Sequence, residues 1–491
     1  MSYTALRPFG GLFLALTISQ AALASEPAPR QTSNPYYISG LTTLDKALAL
    51  KPNNGKAKNV ILFIGDGMGI STIVASRIHE GQSRGVDGES NSLSFEALPY
   101  LALSKTYSHD TMVTDSAASA SAMMTGVKTL NGMIGVDGSV IPNNCPSVAN
   151  AQVETLAETA KMKGRSAGAV TTTRITHATP ASTYTHIADR DWEGDENMPA
   201  EAKAAGCKDI ARQLTEAPSN IRLDVAMGGG RSRFRPTAQG GARTDGRDLV
   251  QTWLTASGPR SAAVMTVEQM KGLDLTKVDH LLGLFGEEHL PYEADRATQG
   301  AGVPTLTQMA TTAVDILSKN PKGYFLMVEG GRIDMASHAG NAYRALTETE
   351  EFSKAINAVM AKVDLKETLI IVTADHSHGL VISGYAKRND PILGLAANEG
   401  TGGLAKDGIP YAVLSYATGP GGADGEDHRE DLSSVNTKDP SFTQQATVPM
   451  ISAAHSGEDV AIFAGGPQAH LFHGVVEESY IFQVMRHALG L

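Results

Sequence analysis

The chain predicts an α/β fold, a mostly parallel central sheet flanked by helices on both faces, and three features point to it. Short apolar runs rich in β-branched residues recur along its 491 residues. Helical patterns lie between them, the alternation that parallel sheets require. Acidic residues and histidines gather just past these runs, where such sheets bind their ligands.

In chain order the runs are NVILFIGDG from Asn59, SAGAVTTT from Ser166, LDVAMGGG from Leu223, YFLMVEGG from Tyr324, TLIIVTADH from Thr368 and DVAIFAGG from Asp459. Near-continuous apolarity without alternation marks strands buried on both faces. Ahead of the Thr368 run, Phe352, Ile356, Val359, Met360 and Val363 share one face of a helical segment that also carries charges. From Gly379 to Met450 the texture changes to Gly, Pro, Asp and Asn, with one apolar piece, YAVLSYA. Residues 379–450 therefore predict an inserted, crown-like subdomain with a small sheet of its own. The alternative is a long disordered loop, which compact enzymes rarely carry.

The first residues hold one early cation, Arg7, then an apolar run, then Ala22-Leu23-Ala24 as a small-x-small cleavage site. This predicts a signal peptide over residues 1–24, a mature domain over 25–491, and export to a periplasm or the medium. A transmembrane anchor is disfavoured because Pro8, Gly10 and Gly11 interrupt a short run. The ending FQVMRHALGL continues a helical pattern and has no lipid-anchor signal. Export implies oxidising surroundings, so the two cysteines, Cys145 and Cys207, are expected to pair; two buried thiols are the alternative.

With 42% hydrophobic and 19% charged residues the chain is globular. A net charge of -11 without any Lys/Arg block argues against nucleic acid or anionic lipid as a partner. An anionic substrate needs a local positive site here, built from metals and a placed arginine.

Four clusters carry chemistry. In GDGMG, Asp66 follows the strand VILFI, and flanking glycines let its carboxylate approach a crowded centre such as a metal; a turn-forming Asp looks the same. In TADHSH, Asp375 and His376 follow LIIV, and their oxygen and nitrogen donors suit zinc, with His378 orienting ligands from behind. In VEGGRIDMASHAG, Glu329 ends a strand, and Asp334 and His338 stand at i and i+4, a spacing that lets both bind one zinc. His455 of AAHSGED would complete that set; alone it is an ordinary histidine. In TDSAASASAMMTG, Ser116 opens a run of small helix-compatible residues, and a helix N-terminus favours an anion. On helix physics alone Ser116 is an N-cap.

Together GDGMG, TDSAAS, HATPA, VEGGRID, VTADHSH and HSGEDVAIFAGGP resemble the alkaline phosphatase family, in its order and over nearly the whole mature chain. GGRID, RALTET, TADHSH and GPQAHL resemble its animal-type branch. The resemblance implies an alkaline phosphatase-like fold and hydrolysis of phosphate monoesters through a phosphoserine, favoured at alkaline pH, in a homodimer with two zinc ions and one magnesium per chain. It makes Ser116 the nucleophile and Arg190 of IADRDW the group that holds the substrate phosphate. Asp334, His338 and His455 match ligands of the first zinc, and Asp66, Asp375 and His376 those of the second. Asp66, Thr179 and Glu329 match the magnesium ligands, with His177 beside them. Cys145 and Cys207 match a disulfide of the animal-type enzymes.

Two departures stand out. Met335 follows Asp334 where relatives place Lys, His or Trp, so a contact toward phosphate is missing there. Gly286 follows Phe285 where a glutamate ligand to calcium belongs, and the segment after MGGGRSRFRP is short, so calcium is not expected. A diesterase or sulfatase on the same scaffold is the nearest alternative; Thr179, Glu329 and Arg190 argue against it, and TDSAAS is not a sulfatase processing motif. A non-catalytic metal- or phosphate-binding protein would need no nucleophile beside a full ligand set.

Overall fold

Val60, Ile61, Leu62, Phe63 and Ile64 are all fully buried in β1 (Asn59–Ile64), because this strand is covered on both faces. Successive side chains point to opposite sides of a strand. Val60, Leu62 and Ile64 accordingly join one core cluster with Phe325, Met327, Leu369 and Ile371. Ile61 and Phe63 join a second cluster with Leu326, Val328, Ile370 and Val372. Each such side chain contributes about 1.5–3 kcal/mol relative to exposure, which is why the apolar runs form the centre of the sheet.

The structure, a computed structural model, describes residues 29–396, 403–423, 425 and 428–491. The expected signal peptide, residues 1–24, lies outside the described residues. The described chain comprises two compact units, one ending at Lys51 and one spanning Pro52–Leu491. In the first, helix Pro35–Ala49 starts with Pro35 behind the cap Asn34, whose side chain accepts from Tyr36 N. No residue of this helix is buried.

The second unit is built on two sheets. In chain order, the strands after β1 are β2 (Tyr100–Lys105), β3 (Ser166–Arg174), β4 (Val225–Gly229), β5 (Ser261–Val264), β6 (His280–Leu284), β7 (Tyr324–Glu329) and β8 (Thr368–Thr373). There follow β9 (Leu380–Ile382), β10 (Leu414–Gly419), β11 (Ala446–Pro449), β12 (Val460–Gly465) and β13 (Val475–Glu477). Ten of them make the large sheet, in the order β13, β2, β12, β8, β1, β7, β3, β4, β6, β5. All its pairs are parallel except those of β12, which runs against both β8 and β2. The six runs read from the sequence are all strands; β2, β5, β6 and β13 join them. Those four carry weaker signals: β2 mixes exposed and buried positions, β5 and β13 are short, and β6 is broken by Gly283.

The remaining three strands form a separate small sheet in the order β11, β10, β9. All three come from the Gly- and Pro-rich segment. Leu380, Leu414 and Tyr416 of this sheet cluster with Ala342 and Leu346 of the long helix Ala342–Lys362, which ties the small sheet to that helix. Cys145 and Cys207 form a disulfide, with Cα atoms 6.3 Å apart.

Candidate active site

Four neighbouring strands, β8, β1, β7 and β3, bring the sequence clusters together. Thr373, Ile64, Glu329 and Thr171 are paired across them in register, so the segments that follow β8 and β1 leave the sheet side by side with Glu329, while β3 runs on to Arg174. Asp66 lies two residues past β1 and Asp375 two past β8, while Asp334 sits in the helix Arg332–His338 just after β7. Gly67 lets this convergence happen: its φ is +68°, and a Cβ there would lie 2.6 Å from His378 Cδ2 and 3.3 Å from Asp334 Oδ1. A side chain at this position would clash with the ligand cluster itself.

Ser116 is the first residue of the helix Ser116–Thr125, and the cap is Asp115, not Ser116. Asp115 Oδ1 accepts from Ala118 N at 3.0 Å, which leaves the serine hydroxyl free for other work. That hydroxyl, on a residue 2% exposed, lies 3.1 Å from His376 Nε2 and 3.5 Å from Asp66 Oδ1. His376 Nε2 also stands 3.3 Å from Asp66 Oδ1 and 3.4 Å from Asp375 Oδ2. One imidazole nitrogen, two carboxylate oxygens and the serine oxygen thus converge on one point.

A second group forms beside it. Ligand atoms of Asp334, His338, His378 and His455 all lie within 4.8 Å of one another. His338 Nε2 is 3.5 Å from Asp334 Oδ2, and His455 Nε2 is 3.5 Å from Asp334 Oδ1 and 3.2 Å from His338 Nε2. His378 Nε2 bonds Asp334 Oδ1, and His455 Nδ1 and His338 Nδ1 are held by the carbonyls of Thr114 and Ala453. These anchors turn the Nε2 atoms of His338 and His455 toward the centre.

A third group contains Asp66, His177 and Glu329. Glu329 Oε2 is held by the hydroxyls of Thr171 and Thr173. Glu329 Oε1, Asp66 Oδ2, Asp375 Oδ2 and Thr179 Oγ1 are buried without a hydrogen-bond partner among the described residues. Leaving polar atoms buried and unpaired is expensive, and a cation among carboxylates removes the cost. Carboxylate and imidazole donors in this number suit divalent metals, so the residues present fit the metals that the motifs imply.

The electrostatics point the same way. With protein groups alone as neighbours, burial and then the charges of Asp334 and Asp375 push the Asp66 carboxyl well above its usual range. Burial and repulsion from Asp334 push Asp375 up to about 6, and burial with repulsion from Asp375 pushes Glu329 up to about 7. Burial also opposes a charge on Asp334, but His378 and the other imidazoles outweigh it and hold that carboxyl low. Burial keeps His376 and His378 neutral, with His378 pushed down to about 4, so their nitrogens are available as donors to a metal.

Arg190 is held by two of these neighbours. Its Nη1 donates to Asp115 Oδ2 at 2.9 Å, and its Nη2 lies 3.2 Å from His177 Nε2. The same Asp115 carboxylate therefore serves the serine helix and the arginine, a role that the sequence reading missed. The signal was present, since Asp at an N-cap is as favoured as Ser, and Asp115 directly precedes the small-residue run. Met335 is half-buried and offers no hydrogen-bond donor from its side chain. A separate cavity of about 380 Å³ lies beside the disulfide, lined by Cys145, Cys207, Tyr184, His186 and Trp192 among others; Ser116 and Arg190 are not part of it.

Comparison with known proteins identifies the family. The family model described as alkaline phosphatase matches residues 57–491. The chain is 43% identical over 475 residues to an alkaline phosphatase of Gadus morhua, covering 94% of this chain and 98% of that protein. It is 41% identical over 494 residues to the tissue-nonspecific alkaline phosphatase isozyme of Homo sapiens, covering 97% and 92%. Among solved structures, the alkaline phosphatase of Thermus thermophilus is similar with a TM-score of 0.64 at 27% identity, covering 91% of this chain and 94% of that one. That of the Antarctic bacterium TAB5 is similar with a TM-score of 0.61 at 25% identity, covering 89% and 99%. With a family match across the second compact unit and a metal-suited site around a serine at a helix N-terminus, the chain belongs to the alkaline phosphatase family.

Proposed function

We propose that this phosphate monoester hydrolase works through Ser116, and the observation that carries the reading is the convergence of Ser116 Oγ with His376 Nε2 and Asp66 Oδ1 within 3.5 Å. Asp334, His338 and His455 would hold one zinc, Asp66, Asp375 and His376 a second, and Asp66, Thr179 and Glu329 a magnesium. Bound there, these ions supply Lewis acidity and offset the negative charge of the phosphoryl group and of the oxygens that attack and leave.

The protein's own groups do the rest. Arg190, fixed by Asp115 and His177, grips two non-bridging phosphate oxygens in a fork geometry that lysine does not offer. Ser116 Oγ forms a bond to phosphorus as the ester P–O bond breaks; the serine proton passes to solvent and the alcohol leaves protonated. Helix N–H groups next to Ser116 stabilise the phosphorylated serine. Water then attacks the same phosphorus from the opposite side, the Oγ–P bond breaks, and inorganic phosphate departs. His378 holds Asp334 in place throughout.

Residues 1–24 act as the export signal in this reading, and the enzyme works in a periplasm or outside the cell. No helix among the described residues is long and apolar enough to cross a membrane. Residues 25–491 form the catalytic domain, with 379–450 as its crown-like insertion, and two chains pair as a homodimer. The donor set for calcium does not fit: Gly286 stands where a carboxylate is needed, Glu287 is paired to Arg231 and Arg235, and Glu288 lies 3.4 Å from both Arg174 and Arg233.

The test is phosphoenzyme trapping with labelled substrate at low pH. Ser116→Ala abolishes the label and lowers kcat by about 10⁴-fold or more while the fold survives; full labelling of that variant overturns the assignment. Parallel rates on an aryl phosphate, an aryl phosphodiester and an aryl sulfate separate a monoesterase from its scaffold relatives.

A further inference from the structure

Behind Arg190 runs a line of contacts that no sequence motif marks. Glu193, buried, accepts from Arg174 Nε at 2.7 Å and Nη2 at 2.5 Å, and from Thr176 Oγ1 at 2.5 Å. Arg174 meets His289 at two points, its Nη1 2.7 Å from Nε2 and its backbone N 3.2 Å from Nδ1, of which a neutral ring accepts one. Whichever ring nitrogen accepts, the donor belongs to Arg174. The His289 ring meets the His177 ring edge to face, with centroids 5.5 Å apart and planes at 77°. His177 Nε2 lies 3.2 Å from Arg190 Nη2.

The segment that carries His289 is itself tied down. Arg231 N donates to the Gly286 carbonyl and Gly230 N to the Glu288 carbonyl, both at 2.9 Å, and Leu290 N donates to the Thr172 carbonyl at 3.0 Å. Arg231 and Arg235 each pair with Glu287 at 2.7 Å. A ring on so fixed a loop has one place to be. Burial, and then the charge of Arg174, pushes the His289 imidazole down to about 3, so it packs on His177 as a neutral ring.

We propose that His289 is a positioning residue for the phosphate site: clamped by Arg174, it fixes the ring plane of His177 and, through His177, the guanidinium of Arg190. It comes from a different segment than Met335, whose side chain offers no hydrogen-bond donor. The inference rests on the reading of Arg190 as the phosphate-gripping group.

The experiment measures kcat, KM for an aryl phosphate and the inhibition constant of inorganic phosphate on the metal-loaded enzyme. The variants are His289→Ala, His289→Phe, His177→Ala, the double variant His177→Ala/His289→Ala, and Arg190→Ala, each also melted by calorimetry. His289→Ala raises KM and the phosphate inhibition constant by roughly tenfold, with a smaller change in kcat. His289→Phe, which keeps a ring against His177 but loses the acceptor for Arg174, falls between wild type and alanine, and serves if the alanine variant does not fold. In the His177→Ala background the loss of His289 has no further effect on phosphate inhibition, since the two act in series. A lowered melting temperature with phosphate inhibition within twofold of wild type overturns the proposal, as does full multiplication of the two single effects. Arg190→Ala keeps the two questions apart: a raised inhibition constant upholds the Arg190 reading whatever His289 does, and an unchanged one overturns that reading and the proposal together.

Discussion

Asp115 holds Arg190 with one carboxylate oxygen, at 2.9 Å, and with the other caps the helix that Ser116 begins, at 3.0 Å. Its Oδ2 also accepts from Gly132 N at 2.9 Å, so the carboxylate is fixed by three donors. The start of the Ser116 helix and the guanidinium of Arg190 are thereby set by one side chain. Asp115→Ala is expected to cost about 1 kcal/mol of stability from the lost cap and to raise KM by about tenfold as Arg190 loosens. Asp115→Asn keeps a cap oxygen and loses the charge, so its melting temperature stays near wild type while KM still rises. Steady-state kinetics and calorimetry check this; an unchanged KM in both variants would show that Arg190 is held without Asp115.

Chelation is expected to abolish activity and lower the melting temperature, because Asp66, Asp334, Asp375 and Glu329 then stand buried together with only imidazoles, hydroxyls and the backbone N–H groups of Gly67 and His376 as close partners. Zinc with magnesium is expected to restore both, and elemental analysis of the restored enzyme is expected to give two zinc ions and one magnesium per chain. Asp375 and Glu329, pushed up to about 6 and about 7, must lose protons to take a cation. Apparent metal affinity therefore rises as pH rises through that range. A titration of chelated protein with zinc across it, showing no such rise, would count against these two ligands.

The disulfide spans 62 residues of sequence. Closing a loop of that length in the unfolded chain is worth up to about 4 kcal/mol on the chain-entropy account. Paired replacement, Cys145→Ser with Cys207→Ser, is expected to lower denaturant stability toward that limit while Ser116 phosphorylation persists. Denaturation curves with an unshifted midpoint would mean that the segment is ordered without the bond.

Glu348 lies buried in the helix Ala342–Lys362, where burial pushes its carboxyl up to about 8 even though Glu293 N donates to it. Between its ordinary value of 4.5 and about 8 the folded protein keeps a proton that the unfolded chain has lost. This group's contribution to stability is therefore complete below the lower value and is lost as pH rises through the upper one. Glu348→Gln removes that loss, by on the order of a few kcal/mol. Melting curves at roughly pH 6 and pH 9 decide: the variant should gain on wild type at the higher pH, and parallel curves would refute the shift.

The strands of the sheet centre were legible because burial on both faces leaves a continuous apolar run, as in Val60–Ile64 and Leu369–Val372. β5 and β13 were not, since short peripheral strands have little apolar content to read. In the site, Asp66, Asp375 and His376 were legible as candidate metal donors at strand ends, but for Asp66 a turn-forming Asp looked the same, and the family resemblance separated the two readings. Asp115, Arg174 and His289 did not, because their roles come from partners far away in sequence: Arg190 lies 75 positions from Asp115, and His289 lies 115 from Arg174.

By itself the sequence determined which residue types could do phosphoryl chemistry, since donor identity and strand-end placement are written in local order. Only the tertiary structure decided which of them share an oxygen or a ring contact. Register across β8, β1, β7 and β3 sets those distances, and register belongs to the packed sheet and not to any one strand.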